Sequence, residues 1–208
     1  VESVAPLTTG SDRVWQNLGR VNNQGFEFEV EWRNKIGELG YQVKENIATI
    51  KNKVAEYSGE GTRVNGATLM GGQGYATFFE EGYPLWYIRG YEIDHIDAET
   101  GEAIYKNFDD DEAITDADRT NLGKGIPDFT YGMTIALNYK NFDFSIYGAG
   151  AQGSEILYGL AGRSPQKPMF LFENRWTESN RNATMPSALY QKDPKFFNSD
   201  AFVFDGSY

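Results

Sequence analysis

The chain has 208 residues, of which 40% are hydrophobic and 15% aromatic, and its formal net charge is −11. Such an acidic chain lacks the basic face that nucleic-acid binding requires, and the absence of cysteine excludes disulfides and thiolate metal sites. No apolar run approaches the length of a transmembrane helix. The abundance of tyrosine, phenylalanine and glycine, with few long apolar runs, favours an all-β protein.

The N-terminal quarter contains the first predicted strands. Residues 1–24 are polar and predict irregular structure, with a turn at VNNQG, residues 21–25. The stretch FEFEVEWR, residues 26–33, then alternates apolar and charged side chains, which predicts a strand with one apolar face. After a short turn at 34–39, residues 41–54 predict a second long strand, in which Glu45 interrupts the apolar set.

A long, mostly polar segment follows at residues 55–127. Its glycine-rich part, 59–74, predicts a flexible loop. The aromatic stretch at 84–96 is compatible with either a strand or a packed loop. An acidic run, FDDDEAITDADR, lies at 108–119.

The clearest pattern lies at residues 128–153. Every odd position from Phe129 to Tyr139 is a large apolar residue, and the alternation resumes after a turn at 140–141. This predicts a β-hairpin with a tight turn, in which Asn141 is able to take a positive φ. Each arm is about ten residues long, the length of a tilted bilayer-crossing strand and longer than the usual soluble strand. A long hairpin in a soluble sandwich is the alternative. Residues 151–199 form a second long segment, and 201–208 begin another predicted strand.

The spacing of turns and long segments suggests a topology. Short turns at 34–39 and 140–141 alternate with long segments at 55–127 and 151–199. Outer-membrane barrels place short turns on the periplasmic side and long loops outside. The strand directions agree with this arrangement if 55–127 contains an even number of further spanning strands. The spacing therefore favours a membrane barrel over a soluble sandwich.

Six segments carry a family resemblance. In chain order they are VNNQGFEFEVEW, NIATIKNKV, EEGYPLWYIRGYEIDHI, DDDEAITDADRTNLGKGIPDFTYGMTIALNYKNFDFSIYGAGAQG, NRWTESNRNATMP and DAFVFDGSY. In this order they resemble the C-terminal part of the SusC/RagA-like TonB-dependent outer-membrane transporters. The similarity covers roughly residues 17–208, almost the whole chain.

The resemblance implies a fold and a function. The expected fold is all-β, an antiparallel transmembrane β-barrel segment of a larger barrel of about 22 strands, with long extracellular loops. Residues 1–208 would be the C-terminal part of the receptor barrel, without the plug domain, and we expect the native chain to continue past Tyr208. Family members lie in the outer membrane, contact its lipid, and import oligosaccharides or peptides with energy from TonB. A SusD-like surface lipoprotein is their partner.

The acidic loop, defined as residues 107–118, is a candidate calcium site. A calcium loop places oxygen ligands at its positions 1, 3, 5, 7, 9 and 12. Those ligands would be Asn107, Asp109, Asp111, the Ala113 carbonyl, Thr115 and Asp118. The pattern resembles the D-x-N-x-D-G-x-I-T-x-x-D loop of the family, except that Asn107 replaces the first Asp and Glu112 replaces the Gly, a position that favours positive φ. We therefore expect at most weak calcium binding, and a solvated acidic loop is the alternative.

Four aromatic residues are candidate ligand-binding residues: Trp86, Tyr87, Tyr91 and Trp176. Their flat faces and polar edges suit stacking on sugar rings. The alternative is that they line the barrel wall or an interfacial girdle.

The sequence contains no recognisable catalytic set, so we expect no enzymatic activity. His95 is the only histidine, and no Ser-His-Asp set can be assigned around it. Glu27, Glu29 and Glu31 share one strand face and are expected to line a lumen, whereas a glycosidase needs two carboxylates across a cleft. A soluble all-β glycan-binding module that uses the same aromatic residues and calcium is the alternative function.

Overall fold

A computed structural model describes residues 2–4, 13–15, 17–59, 61–69, 74–159 and 168–208, the first two ranges by their backbone only. No helix among these residues is long and apolar enough to cross a membrane. Two short α-helices are present in the described part, α1 (Phe170–Glu173) and α2 (Pro194–Phe197). The described strands, numbered β1 to β16 in chain order, are Glu2–Val4, Arg13–Trp15, Gly19–Gln24, Glu27–Ile36, Leu39–Thr49, Lys51–Tyr57, Arg63–Asn65, Thr77–Glu80, Tyr87–Gly90, Ile93–Ile96, Ala103–Tyr105, Thr120–Gly123, Phe129–Tyr139, Phe142–Gln152, Glu155–Leu157 and Val203–Asp205.

The main sheet has four long antiparallel strands in the order β14–β13–β5–β4. The hairpin predicted from the alternation at 129–150 is confirmed, with unbroken pairing from Phe129↔Gln152 to Tyr139↔Phe142. The first predicted hairpin is confirmed as β4 and β5. The two hairpins join because β13 pairs with β5 along its whole length, and the long segment between them returns to the same sheet.

Both short turns lie at the same end of this sheet, as the spacing predicted. The β4–β5 turn has Gly37 at φ +61°, and the β13–β14 turn has Lys140 at φ +51°. The positive φ expected at Asn141 lies instead at Lys140, the first of the two loop residues, which is the one position where both type I′ and type II′ hairpin turns require it. The Lys140 ammonium group lies 3.3 Å from a Glu38 carboxylate oxygen, which links the two turns.

The predicted single strand over 41–54 is divided between β5 and β6. The Thr49 N–H donates to the Phe26 carbonyl, whereas the next N–H, that of Ile50, donates to the Asp128 carbonyl. Gly25 allows this change of partner, because a Cβ there would lie 1.7 Å from the Thr49 carbonyl oxygen. Beyond the break, β6 pairs with β3, and near the N-terminus β1 pairs with β2. The prediction of irregular structure over residues 1–24 and of a turn at 21–25 was therefore wrong over Glu2–Val4, Arg13–Trp15 and Gly19–Gln24.

The long segment 55–127 is more structured than predicted. It contains a small sheet, β12–β9–β8–β7, and the pair β10–β11. The glycine-rich stretch at 59–74 includes β7, although residues 60 and 70–73 lie outside the described residues. The aromatic stretch at 84–96 forms β9 and β10. All these strands have three or four residues, too few to cross a bilayer.

The predicted strand at 201–208 is shorter than expected. Residues Asp200–Phe202 form a 3₁₀ helix, and only β16 is extended, because its pairing partner β15 is itself three residues long. Tyr208 exchanges two backbone hydrogen bonds, both 3.0 Å, with Ala151 of β14. The edge strand β14 is therefore paired with the end of the chain at Ala151.

Two apolar clusters stabilise the regions outside the main sheet. The first is centred on Leu171, Phe196, Phe197 and Phe202, all nearly or completely buried. The second contains Tyr91, Ile96, Ala103 and Tyr105, with Trp176 packed against it.

Candidate functional site

The main sheet has one face that is apolar and exposed, here called the apolar face. The strand register aligns its residues in rows, such as Trp32, Val43, Ile135 and Ile146. Phe28, Trp32, Phe142, Phe144 and Ile146 expose between 53% and 77% of their surface. Further apolar members of this face are Val30, Ile36, Leu39, Tyr41, Ile47, Tyr131, Met133, Leu137 and Tyr139. A patch of this extent is far larger than soluble monomers normally expose.

The opposite side of the sheet, the polar face, carries the charged side chains. The Lys44 ammonium group lies 3.1 Å from a Glu29 carboxylate oxygen across β4 and β5, and Glu31 pairs with Arg33 along β4. The other polar residues of this face are Glu27, Lys35, Gln42, Asn46, Thr130, Thr134, Asn138, Asp143 and Ser145. The three glutamates therefore lie on one strand face, as predicted.

Glu45 is the exception on the apolar face. The register places it between Val30 and Met133, in the row next to that of Trp32. Its side chain is exposed, and it forms no ion pair with any described residue. The other residues of the main sheet that carry charge lie on the polar face.

The four candidate ligand-binding aromatic residues are not gathered in one place. Tyr87 and Tyr91 are buried, at 1% and 9% exposure, and the Tyr87 ring stacks on Tyr83 at 4.4 Å between ring centroids. Trp176 is half-buried, and its indole N–H donates to the Ala98 carbonyl. Trp86 alone of the four is exposed, at 42%, on a backbone with φ +54°. Ligand binding by these residues stays a prediction, and Trp86 is the one with an accessible ring.

The acidic loop folds around hydrogen bonds between its own carboxylates and backbone. The buried Asp118 carboxylate accepts from the Thr115 and Phe108 N–H groups, both at 2.8 Å, and these bonds hold its pKa below the usual range. The Asp111 carboxylate accepts from the Ala113 N–H, and the Asn107 amide oxygen accepts from the Asp110 N–H.

These bonds occupy several of the oxygens proposed as calcium ligands. Both carboxylate oxygens of Asp118, the twelfth position, already accept backbone N–H groups. Within the described ranges, no three side chains of the His, Cys, Asp or Glu type are grouped so that they could hold a metal ion. Calcium binding by Asn107, Asp109, Asp111, Ala113, Thr115 and Asp118 stays a prediction.

One carboxylate of the acidic loop, Asp116, lies among three arginines, and this set is here called the arginine cluster. Asp116 accepts from Arg63 at 2.6 Å, Arg89 at 3.0 Å and Arg119 at 2.9 Å. All three guanidinium carbons lie 5.1–5.8 Å from the centroid of the Phe78 ring. Burial by itself raises the pKa of Asp116, but the bonds from Arg119 and Arg89 outweigh it and hold the pKa below its usual range.

Sequence reasoning missed the arginine cluster. Its arginines come from β7, from β9 and from the residue after the 3₁₀ helix Asp116–Asp118. They are distant in sequence, so no local spacing connects them.

His95 lies at a surface groove between β10 and residues 181–185. The groove is lined by His95, Asp94, Thr184, Asp200 and Arg181, among others, and its lining contains no serine or cysteine. The His95 ring Nδ1 is 2.7 Å from a carboxylate oxygen of its neighbour Asp94, and both side chains are more than half exposed. This arrangement does not form a Ser-His-Asp set.

Comparisons with known proteins identify relatives of this chain. No family model matches it. Two curated proteins of Formosa agariphila, "TonB-dependent receptor P3" and "TonB-dependent receptor P26", are each 27% identical to it over 98% of its length. The chain spans only 22% of the length of these relatives.

Solved structures share its fold. The RagAB peptide transporter superimposes with a TM-score of 0.74 at 17% sequence identity, over 98% of this chain and 23% of the other. The RagAB peptide importer in the "closed-closed" state superimposes with a TM-score of 0.71, also at 17% identity.

The fold and the two faces of the sheet define a segment of an all-β, antiparallel barrel wall. The similarity to proteins named TonB-dependent receptors, and the fold shared with the RagAB transporter, support the resemblance to the SusC/RagA-like receptors that the order of the motifs predicted.

Proposed function

We propose that this chain forms part of the wall and outer loops of an outer-membrane nutrient-uptake receptor. The observation that carries the proposal is the exposed apolar face of the main sheet, opposite a charged face. In a bilayer every backbone group must be paired within the protein, and a closed sheet with an apolar exterior meets this requirement. The apolar face then contacts lipid and the polar face lines a lumen.

The dimensions of the sheet agree with a membrane span. β13 has 11 residues, which at about 3.4 Å per residue and a tilt of about 45° cover about 26 Å along the membrane normal. The apolar band of outer-membrane barrels is about 25 Å tall. The turns at Gly37 and Lys140 lie on the periplasmic side, and residues 55–127 and 153–202 lie outside the cell.

The proposed cargo is an oligosaccharide or a peptide, imported with energy from TonB and with a SusD-like lipoprotein as partner. The relatives are named TonB-dependent receptors, which supports TonB dependence, and the RagAB structures are those of a peptide transporter. We assign residues 1–208 to the C-terminal part of the barrel, and the plug and the TonB-contacting segment to the rest of the receptor.

The proposed mechanism involves no covalent chemistry. Ligand is captured by the outer loops, where Trp86 presents an accessible ring, and passes through a lumen lined by the polar face. The relatives are named as receptors and a transporter, which agrees with this mechanism.

Cysteine labelling in intact cells tests the orientation, because this chain has no cysteine of its own. Glu38→Cys, in the β4–β5 turn, and Glu99→Cys, in an outer loop, are matched exposed positions. We expect a membrane-impermeant maleimide to label Glu99→Cys in intact cells and Glu38→Cys only after the outer membrane is permeabilised. Equal labelling of both positions in intact cells contradicts the orientation.

Uptake experiments test the cargo and the partners. Deletion of the receptor gene and, separately, of tonB is expected to abolish growth on the same oligosaccharide or peptide source. Affinity purification of the full-length receptor from detergent-solubilised membranes is expected to recover a surface lipoprotein. A receptor found in the soluble fraction that binds glycans there would instead support the soluble glycan-binding module.

A further inference from the structure

The apolar face of the main sheet continues, past its last apolar rows, into two rows that contain lysine. β3 and β6 keep the strand register of β4 and β5, so the same face carries these pairs in order: Phe28 with Ile47, Phe26 with Thr49, Gln24 with Lys51, and Asn22 with Lys53. Val54, on the other face, is completely buried. The two lysines therefore lie directly beyond the apolar face, on the side away from the polar face.

Both lysines have free ammonium groups. Lys51 and Lys53 are exposed, and neither forms an ion pair with any residue that the structure describes. Glu56, further along β6, pairs with Arg20 at 3.5 Å. Glu45, the acid on the apolar face itself, lies about 20 Å from Lys51 along the strand, at about 3.4 Å per residue. An external anion can therefore reach both ammonium groups.

A groove of about 490 Å³ lies where the first lysine row meets the apolar face. Its lining combines polar and apolar side chains, among them Gln24, Phe26, Ile50, Lys51 and Phe129. The Phe26 ring is 86% exposed, so it is open to an apolar ligand. Asp128, which also lines the groove, pairs with Lys124. The groove therefore offers an apolar surface next to a free positive charge, which suits a molecule with an acyl chain and an anionic headgroup.

The position of the lysines matches a membrane boundary. β5 has 11 residues and covers about 26 Å along the membrane normal at a tilt of about 45°, close to the height of the apolar band of outer-membrane barrels. Lys51 comes two residues after the end of β5. With the β4–β5 turn on the periplasmic side, Lys51 and Lys53 lie at the outer surface of the bilayer, at the level of the lipid headgroups.

We propose that Lys51 and Lys53 bind the phosphate of an outer-leaflet lipid whose acyl chain lies in the groove beside Phe26 and Phe129. An ammonium group forms charge-assisted hydrogen bonds with phosphate oxygens, and its aliphatic stem can lie along apolar surface. The partner is a phosphorylated lipid and not free phosphate, because the lysines border an apolar groove. The inference rests on the proposed membrane orientation and adds a lipid-binding site to it.

Lipid binding to the full-length receptor in non-ionic detergent tests this site. The probes are phosphorylated lipid A, the same lipid after removal of its phosphates, and inorganic phosphate. We expect the phosphorylated lipid to bind, the dephosphorylated lipid to bind much more weakly, and inorganic phosphate at an equal concentration not to displace the lipid. Equal binding of the two lipids overturns the site, and displacement by inorganic phosphate overturns the assignment to a lipid.

Substitutions separate the charge of the lysines from the apolar groove. Lys51→Gln and Lys53→Gln should each weaken binding of the phosphorylated lipid about fivefold, and about 25-fold together, the usual contribution of basic residues at an anionic membrane surface. Lys51→Arg keeps the charge and should keep the affinity. Phe26→Ala should weaken binding of both lipids, because it removes apolar surface from the groove.

The matched control is a double variant, Lys35→Gln with Lys192→Gln, which removes two positive charges elsewhere. Both lysines are exposed and form no ion pair with a described residue, and Lys35 lies on the polar face near the β4–β5 turn. This variant should bind the lipid as the wild type does. An equal loss in the two double variants would show a general charge effect and overturn the site.

The outcome is distinguishable from failure of the proposed function, because the binding assay needs neither TonB nor cargo. If cysteine labelling gives the expected orientation and the phosphorylated lipid does not bind, the lipid site is contradicted and the proposed function stands. If Glu38→Cys and Glu99→Cys are labelled equally in intact cells, the orientation itself is contradicted.

Discussion

The main sheet and the loop region, defined as residues 74–127 and 168–208, use the same apolar residue types in opposite ways. In the sheet, Trp32 and Phe144 expose 61% and 59% of their surface. In the loop region, Phe196 and Phe202 are completely buried and Tyr87 is 1% exposed. The sheet has its apolar side chains outside, and the loop region has them inside, as in a water-soluble protein.

The difference shows which solvent each region is built for. Apolar side chains on an exposed face are stable against lipid, whereas those of the loop region are removed from water by packing on one another. Introduction of a charge should therefore be costly on the apolar face of the sheet. Removal of side-chain volume should be costly in the closed core of the loop region.

The largest expected effect is a loss of volume in the loop region. Phe202 contacts the rings of Phe170, Phe196 and Phe197 at 5.0–5.8 Å between centroids. Phe202→Ala should destabilise this region by about 3–5 kcal/mol, because it leaves a cavity in a closed core. Hydrogen exchange on the full-length receptor should show faster exchange in residues 168–208 and unchanged exchange in β13.

The control for this cavity is Phe108→Ala, since Phe108 is 53% exposed. Its cost should be about 0.5 kcal/mol or less. Equal effects of the two variants would show that the loop region has no closed core, and the contrast with the sheet would then be lost.

A charge on the apolar face has the next largest expected effect. Met133→Arg should destabilise the receptor refolded into lipid vesicles by about 2–4 kcal/mol if this position lies near the bilayer midplane. Thr134→Arg is the matched control, because the adjacent residue lies on the polar face in the row of Glu31 and Lys44. Denaturant titration in vesicles measures both, and equal costs would show that the two faces do not meet different solvents.

The sequence predicted the main sheet because strict alternation specifies both a strand and its register. A slip of one residue in the strand register would move Met133 and Ile135 to the polar face, so the pattern is compatible with only one register. The break at Ile50 was not predictable, since it depends on Asp128, a residue distant in sequence. The short strands β7 to β12 have no alternation of their own and form through contacts with one another.

The candidate site was predictable only in part. The pattern located the acidic loop, but the calcium-loop spacing uses other carboxylates as ligands and gives Asp116 no role. Arg63, Arg89 and Arg119 come together only in the folded chain. Similarly, the aromatic character of Tyr87 and Tyr91 did not reveal that both would be buried.

A smaller effect is expected where the arginine cluster contacts the acidic loop. Asp116→Asn removes the charge that three arginines contact, and the half-exposed position limits the cost to about 1–2 kcal/mol. Hydrogen exchange at Phe108 and Thr115, whose N–H groups donate to Asp118, should become about tenfold faster. Asp110→Asn is the control, because asparagine tolerates the φ of +58° there. Unchanged protection in Asp116→Asn would show that the arginine cluster does not hold the loop.

The smallest expected effect is calcium binding by the acidic loop. The Asp118 carboxylate already accepts two backbone N–H groups, and Glu112 stands where a calcium loop has glycine, so binding must reorganise the loop. We expect a dissociation constant of about 1 mM or weaker, at the low-affinity end for calcium modules. Calorimetry on the full-length receptor, with and without Asp109→Ala, measures this. Micromolar binding contradicts the prediction, because the loop would then be preorganised for the ion. A heat of binding that Asp109→Ala does not change also contradicts it, because the ion would then bind elsewhere.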